Sequence, residues 1–102
     1  MLNTLESLIT LVRERKKNPI EGSYTNKLLN NKSLSKKKIL EEINELIEAV
    51  ENNSNKIHEA ADVLYHLIVY LETNGIKIED VMEELNKRKK WAMMIIIFLQ
   101  KS

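Results

Sequence analysis

Apolar residues recur at helical spacing in four stretches of this chain, separated by short polar breaks. Leu5, Leu8, Ile9 and Val12 make one face of a helix expected over about Thr4 to Lys17, with Asn3 and Glu6 in capping-box register at its start. Its last turn is basic, with Arg13, Arg15, Lys16 and Lys17 set against the negative end of the helix dipole. Pro19 disfavours helix at Asn18, and Gly22 opens a loop that Leu28 and Leu29 tuck onto the core. A second helix is expected from Ser35, as N-cap, to about Glu51, with Ile39, Leu40, Ile43, Leu46, Ile47 and Val50 as its apolar stripe. After the polar turn Asn52–Asn55, a third helix is predicted over Lys56 to Thr73, stopped by Asn74-Gly75. Ile57, Ala60, Ala61, Leu64, Leu67, Ile68 and Leu71 face one way, and Val63, Val69 and Tyr70 carry apolarity almost around the cylinder. This reads as the most buried helix. A fourth begins near Ile78, with Val81, Met82 and Leu85 inward. The pattern is that of an all-α bundle of about four helices, one domain over 1–90 with an apolar tail over 91–102 that extends the last helix or is disordered.

Two acidic clusters interrupt the apolar pattern: Glu41, Glu42 and Glu45 on the second helix, Glu59 and Asp62 on the third. At ~100° per residue Glu42 lies at the edge of its apolar stripe, Glu45 lies beside it, and Glu41 points furthest away. Glu59, Asp62 and His66 form the one polar stripe on the most apolar helix. Antiparallel pairing of the two helices brings four carboxylates together, where they repel one another and are pushed toward protonation. A hard divalent cation, Mg²⁺ or alternatively Mn²⁺, relieves this, because it prefers carboxylate oxygen. Glu42, Glu45, Glu59 and Asp62 are therefore the candidate metal ligands and catalytic acids, with Glu41 in reserve. The competing reading, a solvated acidic face, is assigned to Glu41, Glu48 and Glu51. His66 is either a hydrogen-bonded core histidine or a group supporting the ligands; His58 is expected to be exposed.

Composition narrows the function. The net charge of +1 excludes a global basic field for nucleic acid. No cysteine is present, which excludes disulfides and thiolate metal sites and suits a cytoplasmic setting. The apolar run Trp91–Leu99 falls far short of the ~20 residues of a membrane span, and nothing at the N-terminus resembles a signal peptide.

The acids read Glu41-Glu42-x-x-Glu45, a gap, then Glu59-x-x-Asp62, a pattern that resembles the all-α nucleoside-triphosphate pyrophosphatase (MazG-like) superfamily. Arg15-Lys16, Pro19 and Glu21-Gly22-Ser23-Tyr24-Thr25 sharpen it. So do Lys37-Lys38, Glu59–His66, and Gly75-Ile76 leading to Asp80-Val81, and together they resemble the phosphoribosyl-ATP pyrophosphatase family over about Leu5 to Arg88. An extra Ile20, and Leu40 where that family usually has Gly, are departures. The resemblance implies Mg-dependent hydrolysis of 1-(5-phosphoribosyl)-ATP to phosphoribosyl-AMP and pyrophosphate, in histidine biosynthesis, by a homodimer or higher homo-oligomer. In that frame Arg15, Lys16, Lys27, Lys37 and Lys38, with Gly22, Ser23, Tyr24 and Thr25 of the loop, are candidates for holding substrate phosphates. Two rival readings are a house-cleaning NTP or dNTP pyrophosphatase of the same superfamily, and a non-enzymatic helical interaction module.

Overall fold

The computed structural model describes the backbone of residues 2–101 and the side chains of residues 3–92. Its element order is α1 (Leu2–Lys17), α2 (Tyr24–Leu29), α3 (Lys32–Glu51), α4 (Lys56–Thr73) and α5 (Ile78–Lys101), with no strand among the described residues. The all-α expectation holds, with a short fifth helix added. α3 and α4 form the most extensively packed pair. α5 runs through the expected boundary at residue 90 as continuous helix; the side chains of the expected tail beyond residue 92 lie outside the described residues.

Local chemistry explains the helix ends. α3 stops with Asn53 at φ +52°, donating to the Val50 carbonyl while Ser54 donates to Ala49, and Asn tolerates that left-handed conformation better than most residues. α4 ends in the same motif on Gly75, at φ +70°, with Gly75 N–H on the Glu72 carbonyl and Ile76 N–H on that of Leu71. Three boundaries differ from the sequence reading. α1 already begins at Leu2, so Asn3 is inside it rather than capping it. α3 begins at Lys32, because the Asn31 side chain accepts from Leu34 N–H at 3.0 Å and captures the N-cap role expected of Ser35, which is buried instead. The segment read as loop after Gly22 contains α2, whose first turn is capped by Ser23.

Val12, Leu28, Ile68 and Val69 form the fully buried core, flanked by Leu5, Leu8, Ile9, Leu29, Leu34, Tyr65 and Ile78. One chain covers only one side of the α3–α4 pair. The expected inward residues Leu40, Ile43, Ile47 and Val50 of α3 are 40–57% exposed, Leu64 and Leu67 on α4 are 50% and 39% exposed, and Ile57 is almost fully exposed. That part of the predicted core is thus a surface stripe. The inner side of the pair holds Ile39, Ala49, Ile68 and Val69, together with the polar residues Ser35, Glu42, His66 and Thr73. Arg13 reaches across from α1 to grip the Glu79 carboxylate at the start of α5 through two guanidinium nitrogens.

Candidate metal and phosphate site

The two long helices present their acids to one another. One oxygen each of Glu42, Glu45 and Glu59 lies within 4.8 Å of the other two, and the same holds for ligand atoms of His58, Glu59 and Asp62. Glu59 belongs to both groups and links them. Glu42 is buried, Glu59 and Asp62 are half-buried, and Glu45 is exposed. Burial, then the neighbouring Glu45 carboxylate, raises the proton affinity of both Glu42 and Glu59 above the ordinary glutamate range. Glu42 Oε2 and Glu59 Oε2 are shielded from solvent yet have no hydrogen-bond partner. Buried polar atoms are rarely left so, and an orphaned carboxylate oxygen is the costlier kind. Hard anionic oxygens from two rigid helices, two of them lacking a donor, fit a divalent cation.

Glu41 lies outside both groups: its Oε2 accepts from Lys38 Nζ at 3.1 Å. That contact raises the Lys38 pKa. His58 is exposed, as expected, but its Nε2 stands 3.3 Å from Asp62 Oδ2, and it joins the second group. The sequence reading passed over it as a ligand; the i, i+4 spacing of His58 and Asp62 was the available signal.

The loop meets α4 one helical turn beyond Asp62, through Tyr24 and Thr25. Ser23 N–H donates to the Ile20 carbonyl at 3.1 Å, and Gly22 sits at φ +82°, the angle required at the third position of a type II turn. The buried Asn26 staples this turn in place: its Nδ2 donates to the Arg15 carbonyl at 2.7 Å, and its Oδ1 accepts from Ile20 N–H at 3.0 Å. Thr25 and Tyr65 are hydrogen-bonded, and the Tyr24 hydroxyl is 3.0 Å from His66 Nε2. Burial raises the Tyr24 pKa, with Lys38 opposing and Tyr65, Glu42 and Glu41 adding to the rise, so its hydroxyl feels both the lysine and the acidic cluster. Of the expected phosphate contacts, Lys27 and Lys37 are exposed and Arg15 is half-buried. Lys16 is not brought to the acids: its Nζ donates to the Glu72 carbonyl at 2.9 Å. Glu72 lies about 15 Å beyond Asp62 along α4, at ~1.5 Å per residue.

The family profile described as phosphoribosyl-ATP pyrophosphohydrolase matches residues 5–89. Among similar proteins, the "Phosphoribosyl-ATP pyrophosphatase" of Clostridium acetobutylicum is 44% identical over 90 residues, covering 84% of this chain and 81% of that protein. The protein of the same name from Limosilactobacillus fermentum is 46% identical over 92 residues, covering 86% of each. The "Histidine biosynthesis bifunctional protein HisIE" of Pyrococcus furiosus is 42% identical over 90 residues, which span 87% of this chain and 43% of that longer protein. With a profile match over residues 5–89 and relatives above 40% identity over most of its length, this chain belongs to the phosphoribosyl-ATP pyrophosphohydrolase family.

Proposed function

We propose that this chain hydrolyses the α–β phosphoanhydride of 1-(5-phosphoribosyl)-ATP, releasing pyrophosphate and phosphoribosyl-AMP in cytoplasmic histidine biosynthesis, with Mg²⁺ held by Glu42, Glu45, Glu59 and Asp62. The observation that carries the reading is the pair of solvent-shielded, partnerless oxygens of Glu42 and Glu59, residues that each offer a carboxylate oxygen within 4.8 Å of the other. When bound, the cation offsets polyphosphate charge and polarises phosphoryl oxygens. The residues do the rest. Glu42, Glu45, Glu59 and Asp62, on rigid helices, would hold the cation, and a glutamate among them would take the proton of the attacking water. Lys38, beside the acids, and the exposed Lys27 and Lys37 offer mobile positive charge to the phosphates. The Gly22 turn lets backbone N–H groups approach them, with Ser23 and Thr25 following it in the chain and Arg15 offering a further charge. No helix among the described residues is long and apolar enough to cross a membrane.

A second copy of the chain completes the assembly in this reading. Leu40, Ile43, Ile47, Val50, Leu64 and Leu67 are large apolar residues exposed on the same two helices that carry the acids, and exposed apolar surface of this kind marks protein contacts. Pyrophosphate release from phosphoribosyl-ATP, measured with Mg²⁺ and with EDTA beside dUTP and the canonical NTPs, tests the function. Faster turnover of dUTP or NTPs makes the chain a general nucleotide pyrophosphatase. No turnover of any of them, with no effect of Mg²⁺ on thermal stability, leaves a helical interaction module.

A further inference from the structure

His66 is buried, and both of its ring nitrogens are engaged. Nδ1 lies 2.8 Å from the Asp62 carbonyl, which can only accept, so Nδ1 carries a proton. In the neutral ring Nε2 is then an acceptor, and the partner 3.0 Å away is the Tyr24 hydroxyl. Tyr24 must donate. Its one proton is spent on the ring, and only its lone pairs remain for the side facing Lys38 and the acids. Tyr24 is among the residues expected to hold phosphate, and in this arrangement its hydroxyl proton is committed to His66.

The contact joins residues 42 positions apart: Tyr24, in the first turn of α2 and next to the Gly22 turn, and His66, one helical turn beyond Asp62. Packing holds the ring in register. Tyr65 meets it edge-on at 5.0 Å between centroids, Tyr24 meets it at 5.8 Å and 73°, and the two tyrosines stack at 6.4 Å. The adjacent Thr25–Tyr65 hydrogen bond runs between the same two elements, so losing one link does not detach the loop.

We propose that His66 is a positioning residue. As the Nδ1–H tautomer, anchored on the Asp62 carbonyl, it holds the Tyr24 hydroxyl and thereby sets the spacing between the Gly22–Thr25 loop and the carboxylates of α4. This rests on the reading above, in which the loop meets the phosphates while the acids hold the cation. The test uses side chains that mimic one ring nitrogen each. His66→Asn places a donor where Nδ1 stands and cannot reach Tyr24; His66→Gln places a carbonyl oxygen where Nε2 stands. Tyr24→Phe and His66→Asn are each expected to raise KM for phosphoribosyl-ATP roughly fivefold to tenfold, about the worth of one hydrogen bond, with kcat little changed. The double variant should be no worse than either single one. His66→Gln should recover most of the loss. Equal impairment of the Asn and Gln variants, or additive losses in the double variant, would overturn the proposal. So would a fall in kcat at constant KM. Independently of turnover, ¹⁵N NMR of the imidazole should show the proton on Nδ1 and a bare Nε2; a proton on Nε2 refutes the assignment. If the wild-type chain does not turn over phosphoribosyl-ATP, the function proposed above fails. The NMR tautomer and the Tyr24→Phe/His66→Asn cycle in thermal stability still decide this inference, non-additivity supporting it and additivity overturning it.

Discussion

Glu42→Gln separates a cation site from an ordinary acidic surface, because the two make opposite predictions for stability. Glu42 is buried, its Oε2 has no hydrogen-bond partner, and Glu45 stands beside it. Gln keeps the shape and removes the charge. In EDTA at neutral pH the variant should therefore unfold at a higher temperature than the parent. The pH dependence has a definite sign. Burial raises the Glu42 pKa in the folded chain, so its contribution is most favourable below the ordinary carboxyl range and is lost as pH rises through the elevated value. The advantage of Gln should thus vanish toward about pH 4 and grow toward neutrality. Magnesium reverses the order. At a hundred times its Kd, a cation binding only the folded state stabilises it by about 2.7 kcal/mol, and a hundredfold weaker site retains about 0.4 kcal/mol. For a chain of this size the larger figure is a rise in Tm of roughly 10–20 °C. Thermal melts of both proteins across pH, in EDTA and in a Mg²⁺ series, supply the comparison. The reasoning fails if Glu42→Gln is the less stable protein in EDTA at neutral pH, or if Mg²⁺ raises both melting temperatures equally.

Ile47→Glu puts a charge in the centre of the exposed α3–α4 stripe, where Ile47 is 51% exposed. It should weaken self-association at least a hundredfold, about 2.7 kcal/mol, in sedimentation equilibrium, while the helical circular dichroism persists; unchanged association would place the contact elsewhere. Asn26→Ala removes both loop staples and strands the Ile20 N–H and the Arg15 carbonyl. A loss of about 2–4 kcal/mol is expected by urea denaturation, since the orphaned groups cost more than the bonds themselves. The Arg13 guanidinium lowers the Glu79 pKa, so that contact stabilises the chain above the ordinary carboxyl range and is lost as pH falls through the depressed value. Glu79→Gln should accordingly narrow the gap between acid and neutral melting temperatures, and an unchanged gap would show the contact to be energetically silent.

Periodicity determined the helical class and the course of α4, and its stop at Gly75 follows from local chemistry. It also drew attention to Glu59 and Asp62, since carboxylates that interrupt the most apolar helix are visible without coordinates, whereas Glu42 and Glu45 stood only at the edge of a stripe. Local competition was less legible. Nothing in the string ranks Asn31 above Ser35 as a cap, and α2 is too short to carry a periodic signal. Tertiary structure alone decided which side of each apolar helix is covered. Ile47 and Leu64 belong to the same pattern as Ile39 and Ile68, yet one pair faces outward and the other faces α1 and α2 or the hairpin's interior. It also decided the fate of the polar side chains. Lys16 is drawn to Glu72, His58 to Asp62, and the Tyr24 hydroxyl to a ring 42 positions away. Spacing along a helix reports which residues share a face, whereas the partner of that face is set by how separate helices meet.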